Sequence, residues 1–206
     1  MRRPIQGRVA ARTVAAICLT MMTACSSDEP SRQATSEPSA TTATVTEPSA
    51  TGSAAAAPLT TEAEVKKVVG KLKTGGRGQL VRQIVPVIDT WWEAAYVGGT
   101  WPRTTFGDAF PGFTQGATKE AKRDKDLLSN ADIGATTTAV TATKRDVRLD
   151  VIAPSGRVAG VTARIALDFE ATGDQSHKVS VRGRVFLTRK AGAWRIFGYD
   201  VRKAVK

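Results

Sequence analysis

The chain has 206 residues, with 30 Lys and Arg against 19 Asp and Glu, a formal net charge of +11, two cysteines and one histidine. Those counts exclude a disulfide-rich scaffold and paired-cysteine zinc or redox chemistry, and one histidine is too few for a histidine-based metal site. No cofactor is predicted, and the basic balance reads first as a solvated basic surface, with attraction to an anionic membrane surface or to nucleic acid as the other readings.

The first element is a leader. Arg2, Arg3, Arg8 and Arg12 stand without an acidic residue before an apolar core of roughly Thr13 to Met22, and Met22-Thr23-Ala24-Cys25 follows. A basic arm, a short apolar core and small residues at the cut describe a secretory signal peptide over residues 1–24. Its core is shorter than the 20 or so apolar residues that a permanent span needs. Small residues at 23 and 24 followed by Cys25 resemble the lipobox of bacterial lipoproteins, with Met22 where that family more often has leucine. The resemblance implies a diacylglyceryl group on Cys25, palmitate among the acyl chains, and a lipid anchor on the extracytoplasmic face of the cell membrane. One acyl chain binds a membrane marginally and two hold it firmly. Cys18 falls inside the removed peptide, so the mature chain has no partner for an internal disulfide. The competing reading is an ordinary signal peptide cut nearby, with Cys25 an incidental thiol.

From Ser26 to about Pro58 the chain is almost wholly Ser, Thr, Ala, Pro and Glu, and Glu37-Pro38-Ser39-Ala40-Thr41 recurs as Glu47-Pro48-Ser49-Ala50-Thr51. With Val45 its one bulky apolar residue, such a stretch cannot offset the entropy of ordering. Residues 25–59 are therefore expected to form a disordered tether that reaches roughly 30 Å on average.

Residues 60–206 are one domain's worth of chain. Over Thr61–Lys206 there are 25 basic and 15 acidic residues, a net charge of +10. Thr61 with Glu64 has the pattern of a capping box, and Val65, Val68, Val69 and Leu72 follow at helical spacing, which predicts a first helix to about Lys73. Gly75-Gly76 would stop it. A second helix is predicted over about Gln79–Tyr96, with Leu80, Ile84, Ile88, Trp91, Trp92 and Ala95 inward and Pro86 as a kink or a fresh start. A third is predicted over Ala117–Leu128. The period then changes to two. A strand is predicted at about Ala135–Thr143, then Val147–Val151, Val161–Phe169, Val179–Leu187 and Trp194–Val201, separated by Gly-, Pro- and Asp-containing turns. The predicted class is α+β, with N-terminal helices packed on a curved antiparallel sheet of four to five strands.

Helices followed by an antiparallel meander that ends in Gly192-Ala193-Trp194-Arg195-Ile196-Phe197-Gly198-Tyr199-Asp200-Val201 resemble the nuclear-transport-factor-two-like (cystatin-like cone) superfamily over about Gln79–Lys203. In that fold a bent sheet wraps a long helix around a conical pocket. Anchor, tether and domain together look like actinobacterial exported lipoproteins and proteins associated with mammalian-cell-entry lipid transporters. The resemblance implies a membrane partner through the anchor, an apolar small molecule or lipid, an envelope protein complex, and no nucleic acid.

Seven of twelve aromatic residues lie between 91 and 113: Trp91, Trp92, Tyr96, Trp101, Phe106, Phe110 and Phe113. They are the candidate lining of an apolar pocket, with the loop from Trp101 to Gly116 as its lid; core packing is the other reading. Trp91 and Trp92 project about 100° apart on a helix, so one is expected on the sheet and the other at the pocket mouth or a subunit contact. Enzymes of this superfamily place a general base in the cone, and the candidates here are Asp89, Tyr96, Asp108 and Asp200. Asp89 and Glu93 read more simply as a solvated helix face, and His177 as an exposed turn residue. The reading is a non-enzymatic binding lipoprotein, with a small isomerase or hydratase that uses a pocket aspartate as the alternative.

Overall fold

Valine decides the start of the domain. The computed structural model describes residues 59–206; the predicted signal peptide, Cys25 and the tether through Pro58 lie outside the described residues. β1, Glu62–Gly70, is a strand where the sequence pattern predicts a helix from Thr61 to Lys73. The register of β1 shifts between Val65 and Lys67. An extra residue there lets Ala63, Val65 and Val68 all pack on the core. A spacing of three across a bulge imitates helical periodicity, while the valines favour an extended backbone. Thr61 caps no helix. Its hydroxyl donates to Asp89 Oδ1 at 2.6 Å.

α1, Gly76–Trp92, begins after Gly75, which takes the left-handed conformation at φ 74°. The six residues predicted to face inward are all buried. Pro86 lies inside α1 without ending it; its side chain is exposed, and its carbonyl accepts the Thr90 hydroxyl at 2.6 Å. A single π turn, Glu93–Val97, closes the helix. Three carbonyls there are taken up by tertiary partners. Ala94 O accepts from Arg103 Nη1 at 2.7 Å, Ala95 O from the Asn130 amide at 3.0 Å, and Tyr96 O from Asn130 Nδ2 at 2.8 Å. A helix end buried among aromatic rings needs such partners, because each unmade bond costs about 1–3 kcal/mol.

The predicted third helix is two short ones, α2 (Gln115–Arg123) and α3 (Lys125–Leu128), which meet at Asp124. The Thr114 side chain accepts from the Ala117 amide at 3.3 Å and caps α2.

The two strands expected around Thr143 are one, β2, Thr137–Ala153, with register shifts at Thr137/Ala139 and Ala142/Lys144. β3 (Gly160–Gly173), β4 (His177–Lys190) and β5 (Ala193–Val205) follow as a meander. The sheet order is β1-β2-β3-β4-β5, antiparallel throughout except that β1 runs parallel to β2. A parallel neighbour requires a long crossover, which α1 to α3 supply. The class is α+β, as predicted, but the sheet is mixed rather than antiparallel, with β1 and β5 as its edge strands and β5 bridged at Ile196 by Phe113.

The period-two pattern sorts the sheet. Val147, Leu149, Val151, Ile165, Leu167 and Phe169 are among the inward residues, all buried beneath α1. Burial of each large apolar side chain is worth about 1.5–3 kcal/mol. The outer face carries charge in cross-strand rows, one of which runs Glu64, Arg148, Arg164, Arg184, Asp200.

Candidate functional site

The aromatic group predicted to line a pocket is brought together, as packing. Trp91, Trp92 and Tyr96 are completely buried, Phe106, Phe110 and Phe113 nearly so, and Trp101 is half-buried. Trp91 meets Tyr96 and Phe113 edge-on at 5.8 and 5.5 Å between ring centres. Tyr96 lies 6.0 Å from Phe169 of β3, and Phe110 lies 5.8 Å from Phe113. Both tryptophans of the Trp91-Trp92 pair are inside, so neither reaches a pocket mouth or an outer surface. The segment after Trp101 is part of the core it was expected to cover: it inserts Phe106, Ala109, Phe110 and Phe113. The Trp91 indole donates to Leu128 O at 3.2 Å, whereas the buried indole N–H groups of Trp92 and Trp101 have no acceptor among the described residues.

The candidate bases are scattered. Tyr96 donates its hydroxyl to Leu127 O at 2.8 Å, and burial pushes its phenol well above the ordinary range, so it is a fixed donor. Asp108 is exposed. Asp200 is exposed on the outer face of β5 and pairs with Arg184 at 2.5 Å. His177 opens β4, opposite Ala171, half-buried rather than fully exposed.

Asp89 is different. It is half-buried between α1 and the start of β1, and burial pushes its carboxyl above the usual aspartate value of 3.8, against the opposing Thr61 hydroxyl and Arg145 charge. Arg145 is itself paired with Glu93. Folding therefore favours the protonated acid. Between 3.8 and the raised folded value the native state holds the extra proton, so this contribution to stability falls as pH rises through that window. Asp89→Asn keeps an acceptor for Thr61 and is expected to flatten the acid-side slope of stability against pH. Urea unfolding at pH 7 should find it at least as stable as wild type. A less stable variant there would show that attraction to Arg145 outweighs burial.

Open space lies elsewhere, in a groove of about 620 Å³ between α1, the Pro111–Gly112 turn and the β4–β5 hairpin. Pro86, Val87, Pro111 and Trp194 supply apolar surface, and Arg189 and Arg195 are its charged groups among the described residues. Gln83 of α1 organises the wall. Its Oε1 accepts from Arg189 Nη2 at 2.9 Å and from the Trp194 indole at 3.1 Å, while the Arg189 guanidinium lies 5.2 Å from the Trp194 ring. The opposite wall is stitched to β5 by Ile196 N to Gly112 O at 2.9 Å and Thr114 N to Ile196 O at 2.8 Å. Gly112 is required there, at φ 79° with Val87 Cγ1 only 2.9 Å from where a Cβ would stand.

None of the seven predicted aromatic residues, and none of the four candidate bases, lines this groove. Gln83, Arg189 and Arg195 were missed as groove residues because they come from chain positions a hundred apart. One signal was available, the absence of any acidic residue from Gln175 to Tyr199. Among the described residues no group of three His, Cys, Asp or Glu is arranged to hold a metal ion, and no helix is long and apolar enough to cross a membrane. An apolar floor with two guanidinium groups suits retention of a molecule with an apolar body and an anionic end. No family model, no curated protein and no solved structure matches this chain, so its function is argued from its own residues.

Proposed function

We propose that this chain is an exported lipoprotein, held through lipidated Cys25 on the extracytoplasmic face of the cell membrane. Its domain, without enzymatic activity, binds an apolar ligand or docks on an envelope complex, with a lipid-transport assembly as the candidate partner. Nucleic acid has no place in that setting. The observation that carries the binding reading is the groove beside Trp194, with its apolar floor, two arginines and no acid. The cone-shaped, nuclear-transport-factor-two-like arrangement belongs to the same proposal, supported by a long helix against a strand meander.

The alternative, an isomerase or hydratase with a pocket aspartate, leans on Asp89 and its raised pKa. Against it, Asp89 already accepts a hydrogen bond from Thr61 and does not line the groove.

Native mass spectrometry of the mature chain taken from its own envelope tests the binding reading. A retained apolar adduct is expected in wild type. Ala193→Trp, an exposed position on the groove wall, should cut its occupancy by about fivefold, as a lost contact of roughly 1 kcal/mol would. A wild-type chain that carries no adduct and pulls down no envelope protein overturns the reading. The anchor is tested separately: with membranes washed at high salt, which screens electrostatic attraction, Cys25→Ala should move the chain from the membrane fraction to the soluble one.

A further inference from the structure

The positive charge of the domain has an address. The three longest acid-free stretches of residues 59–206 are 65–88, 151–167 and 175–199. Topology gathers their ends at one end of the sheet, where Gly70 lies opposite Ala153, Ile152 opposite Gly160, Val161 opposite Leu187 and Lys190 opposite Ala193. Lys71, Lys73, Arg157, Lys190 and Arg195 are exposed there. None of the five is in an ion pair with a described residue. The paired arginines of the outer face, Arg148–Asp146, Arg164–Asp150, Arg182–Asp168 and Arg184–Asp200, begin at Asp150 and continue away from this end.

The same end exposes apolar side chains. Val69 and Ile152 are paired across β1 and β2 and are 53% and 55% exposed. Phe197 is 53% exposed and leans on Phe186 with ring centres 6.3 Å apart. All stand on the outer face, away from α1.

We propose that this end of the domain is a docking surface for an anionic lipid bilayer. Lys71, Lys73, Lys190 and Arg195 meet headgroup phosphates, and Val69, Ile152 and Phe197 enter the interface. A soluble anion would satisfy the cations and leave three large apolar side chains in water; a bilayer surface meets both. Each basic residue close to an anionic leaflet adds up to about 1 kcal/mol, roughly fivefold in affinity, within a Debye length of about 10 Å. The anchored reading explains why a membrane is near, while the face is read from charge and exposure alone.

The test uses the mature chain, residues 25–206, carrying Cys25→Ala, so that neither the basic leader nor an acyl chain contributes, with vesicles of phosphatidylcholine alone or with about a third phosphatidylglycerol. Binding is expected to the anionic vesicles only, and to fade as salt rises toward about 0.5 M. Substitution of Lys71, Lys73, Lys190 and Arg195 by Glu should weaken it roughly 100-fold or more. Glu at Lys119, Lys122, Lys125 and Lys144, exposed positions elsewhere with the same change in net charge, should cost no more than about threefold. Thermal unfolding checks that each variant folds, and Gln in place of Glu gives a milder set with the same expected order. Equal loss from both sets, equal binding to neutral vesicles, or preference for an acidic polypeptide or nucleic acid over the vesicles overturns the proposal. Failure of this docking with Cys25-dependent fractionation intact would sink the face and leave the anchor standing.

Discussion

Gly183→Ala is expected to destabilise the domain by about 4 kcal/mol or more, which for about 150 residues lowers the melting temperature by roughly 10 °C. Gly183 occupies an inward position of β4 at φ 146°, a conformation in which a side chain is strained. A Cβ there would stand 2.1 Å from Asp200 O and 2.7 Å from Val201 Cα. Both obstacles are backbone of β5, so no rotamer change relieves them, and β4 and β5 would have to separate where Gly183 pairs with Val201. Gly192→Ala is the control. It also has positive φ, 80°, but nothing lies within 4 Å of its Cβ position, so it should cost only the left-handed penalty of about 1–2 kcal/mol. The difference between the two variants in chemical denaturation isolates the strand contact. Equal losses would mean that β5 yields easily and that the close approach is not a constraint.

Trp91→Ala should cost about 3–5 kcal/mol, the range for a large buried aromatic residue. Its indole is completely enclosed, touches Tyr96 and Phe113, and donates to Leu128 O. Phe197→Ala, on the exposed outer face, should stay within about 1 kcal/mol of wild type. The pair separates two roles for the aromatic residues. A tryptophan that lined an empty ligand cavity would lose far less on truncation, since few neighbours would be deprived of contacts. A small effect of Trp91→Ala would return the pocket to the aromatic region and draw attention away from the groove beside Trp194.

Most of the secondary structure was legible in local pattern. The inward set of α1, from Leu80 to Ala95, and the alternation of β3 and β4 each repeat long enough to be read without a partner. β1 was not legible. Its bulge places Val65 and Val68 three apart on the same side, and Thr61 with Glu64 completes a convincing capping box. Only pairing with β2, which makes the extended backbone pay its hydrogen-bond debt, selects the strand. The aromatic residues from Trp91 to Phe113 were visible as a cluster, but composition does not distinguish a lined pocket from a filled one. That distinction depends on whether Phe106, Phe110 and Phe113 fold back onto α1.

By itself, the sequence determined the inward and outward faces of α1, of Val147–Val151 in β2, and of β3 and β4, because side-chain direction follows backbone period within an unbroken element; in β5 a register shift moves the buried positions from Trp194 and Ile196 to Val201. It also determined the net charge and the stretches that lack acids. Only the tertiary structure decided which carboxylates are spent. Asp200 on Arg184 and Asp89 on Thr61 are contacts across 16 and 28 residues, set by register and crossover rather than by local pattern. The tertiary structure likewise decided that three acid-free stretches share one end of the sheet, because strand pairing alone brings distant segments, and their charges, side by side.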